Sequence, residues 1–154
     1  MKIIEFSPFY NENLLLGIKT AEARAWIDEV HVVESNRTFR FAEKPYNLTI
    51  EDPLLIHHKL DGTIAFKGAF HRGISRRFPF YRKKDSARTN ETIQRNVVHK
   101  AIDPADDDIV ILSDIDEILD SSKADYLVDQ VTKHGLVTVR LHHSLFFLNL
   151  YSKN

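Results

Sequence analysis

The stretch that decides the fold is residues 107–118, which read DDIVILSDIDEI. Its apolar centre predicts a strand over 108–113 that is covered on both faces of a parallel sheet. Asp114, Asp116 and Glu117 follow directly, so that three carboxylates lie within four residues. This concentration of negative charge is electrostatically costly unless a cation lies among the carboxylates. Oxygen ligands favour Mg²⁺ or Mn²⁺, ions that commonly accompany a phosphate-bearing substrate; the alternative is an acidic strand end that faces water.

Outward from this strand, patterns typical of strands and helices alternate along the chain. Further strands are predicted over 2–6, 29–34 and 136–142, with a candidate strand near 63–66 in the weakly patterned stretch 35–89. Helices are predicted over 13–28, 90–101 and 121–134; the expected N-caps are Asn11 or Asn13 and Thr89 or Asn90, and Gly135 ends the last helix. The order β-α-β-loop-α-β-α-β indicates an α/β fold, a mostly parallel sheet flanked by helices.

Composition places the chain among globular proteins and excludes several classes of function. The 154 residues are 43% apolar and 28% charged, and we interpret 1–154 as a single domain. Cysteine is absent, which excludes disulfide scaffolds, thiolate metal sites and cysteine nucleophiles. No apolar stretch has the length of a signal-peptide core or a membrane span, so a cytoplasmic location is expected.

Ligands of parallel α/β sheets bind beyond the carboxyl ends of the strands, which directs attention to the segments 7–12, 34–38 and 113–117. Two enzyme classes carry Asp-x-Asp at such a strand end. In HAD-type phosphohydrolases the first Asp is a nucleophile and the second a general acid, whereas in nucleotide-sugar glycosyltransferases the pair holds a divalent ion against the diphosphate. The phosphohydrolase interpretation is the weaker one, because Glu117 stands where that class has Gly and its motif normally lies near the N-terminus.

Several ordered blocks of the sequence resemble glycosyltransferase family 17, whose best-known members add the bisecting N-acetylglucosamine to N-glycans. The blocks are FSPFYNE at 6–12, LLLGI at 14–18, VHVVESNRTF at 30–39, KP at 44–45, NETIQR at 90–95, DDIVILSDIDEI at 107–118 and HSLFF at 143–147. Each block alone is weakly specific, but together they span nearly the whole chain in the family's order.

The resemblance implies a GT-A-like, Rossmann-like fold and inverting transfer of N-acetylglucosamine from a UDP-sugar to a saccharide or glycoconjugate acceptor. It implies that Mn²⁺ or Mg²⁺ is held by Asp114 and Asp116, with Asp114 also near the ribose and Glu117 supporting them. The nucleotide-sugar site would also include Asn11, Glu12, Glu34, Asn36 and Arg95, the last as a partner of the diphosphate. The matched motifs contain no catalytic base, which is therefore unassigned.

The sequence also departs from the family pattern. Leu119 replaces the usual Pro, Lys19 stands where Arg is common, and Arg88-Thr89-Asn90 replaces an aromatic residue. Family members usually continue well past the position of Asn154, through much of the half that forms the acceptor surface. Three interpretations stay open: a short complete enzyme, a fragment, and a domain that binds nucleotide sugars without transferring them.

The basic segment 72–88, with Phe78, Phe80 and Tyr81 interleaved, suggests a different class of function. Arginines and aromatic side chains can follow a phosphate backbone and stack on bases. The net charge of −1 argues against nucleic-acid binding, because such proteins are usually basic. In a transferase the same segment would be a lid over the diphosphate or a loop that faces the acceptor.

Overall fold

The structure, a computed structural model, describes residues 1–66 and 83–141, the second range with side chains from Ala87 onward. Within these ranges four parallel strands form one sheet in the order β3-β2-β1-β4. The strands are β1 (Ile3–Phe9), β2 (Glu29–Ser35), β3 (Leu55–Leu60) and β4 (Ile109–Leu112). The helices are α1 (Asn13–Ala23), α2 (Gly62–Ala65), α3 (Lys83–Arg95), α4 (Val98–Ala101) and α5 (Ala124–His134), which follows a 3₁₀ turn at Ser121–Lys123. The predicted α/β fold is confirmed.

Alternate side chains of a strand point to opposite sides, so the two inner strands contribute to an apolar cluster on each face of the sheet. On one face Val30 and Val32 of β2 belong to the same apolar cluster as Leu16 and Ala23 of α1. On the other face a second cluster joins Ile4, Phe6 and Val33 to Ile102, which follows α4. Within the described part of the chain, none of the helices has the length and apolar character needed to span a membrane.

The strand registers bring three loops to one edge of the sheet. β1 pairs with β2 from Ile4↔Glu29 to Phe9↔Glu34, and with β4 only as far as Phe6↔Leu112. The carboxyl ends of these three strands therefore lie side by side. β1 continues three residues beyond its predicted end at Phe6, because its pairing with β2 extends to Phe9. Past Phe6 no second described strand pairs with it, so Pro8 interrupts no ladder on that side.

Two strand predictions are wrong, and one strand was missed. Residues 63–66 do not form a strand but belong largely to α2, where the Asp61 side chain accepts a hydrogen bond from the backbone of Thr63. Residues 136–141 have no regular structure, and His142 lies outside the described residues. β3 was missed because its consecutive polar residues at 57–59 hide the apolar pattern. β4 forms as predicted but is half-buried, with Leu112 exposed, among the residues described.

The helices form where expected, but their ends differ. α1 ends at Ala23, and neither Asn11 nor Asn13 caps it, because Glu12 occupies that position without a side-chain cap. The predicted helix 90–101 is two helices, of which α3 begins at Lys83, so that Thr89 and Asn90 are internal rather than caps. Gly135 ends α5 with a φ of 74°, as predicted for a glycine that closes a helix.

Candidate active site

A cleft of about 740 Å³ opens at the carboxyl edge of the sheet, within the size range of small-molecule and cofactor sites. Its walls come from the loops that follow β1, β2 and β4 and from one side of α3. The lining combines aromatic and aliphatic side chains with charges of both signs. The charged members are Glu12, Arg37, Arg40, Lys44, Glu91, Arg95, Asp114 and Asp116.

The loop after β4 is a tight turn that brings two of its three acidic residues to this cleft. The backbone N–H of Asp114 donates to Glu117 Oε2 at 2.8 Å, and the N–H of Glu117 donates to the carbonyl of Asp114 at 3.1 Å. Ile115 is buried in the core beneath the turn, while Asp114 and Asp116 on either side of it line the cleft. Glu117 closes the turn and does not line the cleft, which agrees with a supporting role.

The two cleft aspartates have different surroundings. Asp114 Oδ1 accepts a hydrogen bond of 2.8 Å from Arg95 Nη2, and Arg95 also lies 3.4 Å from Glu91 one helical turn earlier. Among the described residues Asp116 has neither an ion-pair nor a hydrogen-bond partner, and it is exposed. A ligand that enters the cleft thus meets one unpaired carboxylate and one carboxylate already held by a cation.

The carboxylates fit a divalent ion that is bound together with a phosphate substrate. In the ranges 1–66 and 87–141 no three His, Asp or Glu side chains are grouped so as to hold a metal by themselves. Mg²⁺ is usually held by one or two carboxylates, with substrate phosphates and waters as its remaining ligands. The donor set of Asp114 and Asp116 is suited to that kind of site and not to a closed structural metal site.

The turn rests on a buried lysine that sequence reasoning noted only as a departure from the family. Lys19 Nζ donates to the carbonyl oxygens of Asp114 and Glu117, at 3.0 and 2.6 Å, and to Ser113 Oγ at 2.9 Å. It also pairs with Glu5 at 2.8 Å. The available signal was its position on α1, in line with the buried Leu16 and Ala23.

Of the first predicted pair, the structure places Glu12 in the cleft and not Asn11. Glu12 Oε2 accepts 2.9 Å hydrogen bonds from the backbone N–H groups of Tyr10 and Asn11. The carboxylate thereby shapes the loop after β1, which carries the aromatic ring of Tyr10 into the lining. Asn11 is exposed and is not among the residues that line the cleft.

Glu34 and Asn36, predicted to face the nucleotide, do not line the cleft. Glu34 is fully buried, and its carboxylate accepts hydrogen bonds from Lys44 Nζ and from the backbone N–H of Asn47, both at 2.6 Å. His57 Nε2 lies 3.2 Å away, and burial lowers the pKa of His57 although the Glu34 charge opposes that shift. Glu34 therefore supports the loop after β2 from beneath.

Asn36 has a comparable local role. Its Oδ1 accepts a hydrogen bond of 2.8 Å from the backbone of Gly62, and its Nδ2 donates to Asp61 at 3.3 Å. A side chain at Gly62 would collide with this arrangement, because an added Cβ would lie 2.5 Å from Ser35 Oγ. Asn36 thus joins the loop after β2 to the start of α2.

Other cleft residues were not singled out from the sequence. Gln94 is buried in α3, and its Nε2 donates to the carbonyl of Val33 at 2.7 Å and to that of Phe9 at 3.4 Å. It thereby fixes α3 against the ends of β1 and β2. Arg37 and Arg40, in the loop after β2, also line the cleft. The weak pattern of residues 35–89 gave no basis for predicting where their side chains lie.

The structure defines an α/β protein with a Rossmann-like parallel sheet, and its charged cleft lies at the carboxyl edge, where sheets of this kind bind their ligands. The sequence model of glycosyltransferase family 17 matches residues 2–151, nearly the whole chain. The chain belongs to this family and is a glycosyltransferase. No curated protein and no solved structure is significantly similar to it.

Two parts of the sequence prediction fall outside what the structure describes. The basic segment 72–88 is described only from Lys83, as backbone of α3, and its side chains only from Ala87. The block HSLFF at 143–147 is likewise outside the described ranges. A lid or acceptor role for the first segment stays a prediction.

Proposed function

We propose that the protein transfers a sugar, N-acetylglucosamine, from a UDP-sugar to a saccharide acceptor with the help of Mn²⁺ or Mg²⁺. The observation that carries this proposal is the convergence of Asp114, Asp116 and Arg95 on one cleft at the carboxyl edge of the sheet. Carboxylates suit a divalent ion and a guanidinium suits phosphate oxygens. A nucleoside diphosphate bound through a metal uses both kinds of group at once.

The cleft offers separate surfaces for the parts of such a donor. Arg95 is anchored on α3, and Arg40 is exposed in the facing loop without a partner among the described residues, so both can meet the negative diphosphate. Phe39 and Tyr10 add apolar surface suited to a base or to a sugar face. Lys44 contributes less, because its ammonium is already paired with the buried Glu34.

In the proposed reaction, an acceptor hydroxyl attacks C1 of the donor sugar on the face opposite the diphosphate and gives its proton to a general base, which is unassigned. The C1–oxygen bond to UDP breaks, and the new glycosidic bond has inverted configuration. Asp114 and Asp116 would hold the divalent ion, which supplies neutralisation of the charge that develops on the departing UDP. Arg95 adds a fixed positive charge beside the same leaving group.

The experiment is a transfer assay with UDP-N-acetylglucosamine, a mannose-containing oligosaccharide and Mn²⁺, with UDP-glucose and UDP-galactose as alternative donors. We expect UDP release and a glycosylated product of inverted anomeric configuration, both abolished by EDTA. Transfer that persists in EDTA would contradict the metal dependence. Binding of the donor without transfer to any acceptor would favour the interpretation of a nucleotide-sugar-binding domain.

A cytoplasmic location stays a separate prediction.

A further inference from the structure

The Asp114–Glu117 turn is the part of the cleft whose shape matters most for the proposed function, and it lies on a buried charge network. Lys19, in the middle of α1, is only 2% exposed, although an ammonium is strongly hydrated in water. Its placement there requires acceptors that replace the lost water. Four oxygens lie within 3.0 Å of its Nζ.

Two of these oxygens are the backbone carbonyls at the two ends of the turn. Nζ lies 3.0 Å from the carbonyl oxygen of Asp114 and 2.6 Å from that of Glu117. An ammonium has three N–H donors, so four close acceptors engage it completely. One side chain therefore holds both ends of the segment that contains Asp116.

The other two oxygens tie the ammonium to the sheet. Glu5 of β1 pairs with Lys19 at 2.8 Å, and Ser113 Oγ donates to the same Glu5 oxygen at 2.7 Å. Ser7 Oγ lies 3.1 Å from Ser113 Oγ and extends the network along β1. The turn is thus connected through Lys19 and Ser113 to β1, one of the two inner strands of the sheet.

We propose that Lys19, with Glu5 as its counter-charge, is a positioning residue that fixes the Asp114–Glu117 turn and thereby the carboxylates of Asp114 and Asp116. Lys19 does not line the cleft and so acts only through the turn. The consequence of this positioning, a preformed metal site, rests on the proposed function. The conformation of the turn itself can be tested independently of nucleotide binding.

The test uses a charge-neutral double variant, Lys19→Met with Glu5→Gln. Lys19→Met alone would leave Glu5 as an unpaired buried carboxylate and impair folding. The double variant removes both charges while preserving side-chain volume. Thr20→Val is the matched control, because Thr20 is the buried neighbour on α1 and, within the described part of the chain, its hydroxyl bonds only to carbonyls of its own helix.

The first measurement is residue-resolved amide hydrogen exchange, because the N–H groups of Asp114 and Glu117 are bonded within the turn. In the wild-type protein we expect both amides to be protected at least about tenfold relative to an unstructured chain. In the double variant we expect both to exchange at least about tenfold faster, with the amides of β2 unchanged. Unprotected amides in the wild type, or unchanged exchange in the folded double variant, would overturn the proposal.

The second measurement is the affinity for UDP with Mn²⁺ and with EDTA. We expect the factor by which Mn²⁺ raises the affinity for UDP to be at least about tenfold smaller in the double variant than in the wild type, a difference of about 1.4 kcal/mol. Thr20→Val should show the same factor as the wild type. If amide exchange shows a mobile turn in the double variant but Mn²⁺ raises its affinity for UDP as much as in the wild type, the positioning role is wrong. A wild-type protein that gains no UDP affinity from Mn²⁺ would instead contradict the proposed function, and amide exchange would still decide whether Lys19 fixes the turn.

Discussion

Arg95 Nη2 donates a hydrogen bond of 2.8 Å to Asp114 Oδ1 and so joins α3 to the turn after β4. Both side chains are more than 40% exposed, at 44% for Arg95 and 42% for Asp114. Solvent screens an ion pair of this kind, which typically contributes about 0–1 kcal/mol to stability. Its importance is therefore geometric, because it places a guanidinium beside a candidate metal ligand.

Replacing Arg95 by Gln should weaken UDP binding more than it affects the fold. We expect about a tenfold loss of affinity for UDP in Mn²⁺, the result of removing one charge-assisted contact with the diphosphate. The free energy of unfolding in urea should change by no more than about 1 kcal/mol. Glu91→Gln is the control, because it removes the other carboxylate next to Arg95 and should leave affinity within about twofold. Wild-type affinity in Arg95→Gln would show that this side chain does not contact the diphosphate.

Replacing Asp116 by Asn should abolish the Mn²⁺-dependent part of UDP binding. The substitution keeps the shape of the side chain but removes the negative charge of the carboxylate that has no partner among the described residues. Because that carboxylate is exposed, stability should change within about 0.5 kcal/mol. Asp106→Asn is the matched control, an exposed Asp in the loop before β4 that does not line the cleft. If both variants bind UDP and Mn²⁺ as the wild type does, Asp116 is not a metal ligand.

Replacing Glu34 by Gln should reduce stability, since this carboxylate is fully buried against Lys44. Removing one partner of a buried ion pair typically costs about 3–5 kcal/mol. Urea unfolding monitored by circular dichroism measures this loss. The double variant Glu34→Gln with Lys44→Met should recover part of it, because no unpaired charge stays buried. A stable Glu34→Gln protein with impaired UDP binding would instead restore the sequence-based assignment of Glu34 to the nucleotide.

Stability should fall as the pH decreases below about 6.5, because two histidines of β3 resist protonation. Burial, with the charges of His31 and His57 added, lowers the pKa of His58 below its usual value of 6.5. His58 Nε2 also lies 2.8 Å from His31 Nδ1, a hydrogen bond that requires one unprotonated nitrogen. Below about pH 6.5 the unfolded chain therefore binds more protons than the folded protein. The free energy of unfolding decreases as the pH falls through this range.

Urea unfolding at pH 7.5, 6.5 and 5.5 measures this dependence. The variant His58→Gln should show a smaller decrease between pH 6.5 and 5.5 than the wild type, because one of the resisting groups is gone. A carboxylate origin would instead place the loss at lower pH, since the pKa values of Glu29 and Asp108 lie below their usual range. An unchanged slope in His58→Gln would contradict the assignment to this histidine.

The sequence predicted those parts of the fold in which local pattern and tertiary environment agree. The aliphatic run before Asp114 forms the expected parallel strand. The helix predicted over 121–134 forms from Ala124 and ends before Gly135 as expected, with a 3₁₀ turn in place of its first three residues. β3 was missed because His57 and His58 occupy a strand whose polar groups are paired by neighbours distant in sequence. Pairings of that kind have no local signature.

The candidate site was also predicted in part, because some of the expected residues line the cleft and others do not. Asp114, Asp116 and Glu12 line the cleft, where strand-end position had placed them, and Arg95 of α3, which only the family resemblance implied, lines it as well. Glu34 also lies at a strand end, but its side chain is directed into the core on the α1 side, where Lys44 neutralises it. Strand-end position thus predicts which loops form the site, whereas the direction of each side chain depends on how the loops pack.

The most direct test of the central claim is a calorimetric titration of UDP and UDP-N-acetylglucosamine into the protein, first with Mn²⁺ and then with EDTA. Binding that requires Mn²⁺, and that disappears in Asp116→Asn but not in Asp106→Asn, is the result we predict. Equal binding with Mn²⁺ and with EDTA, or no binding in either, would contradict a metal-dependent UDP-sugar site between Asp114, Asp116 and Arg95.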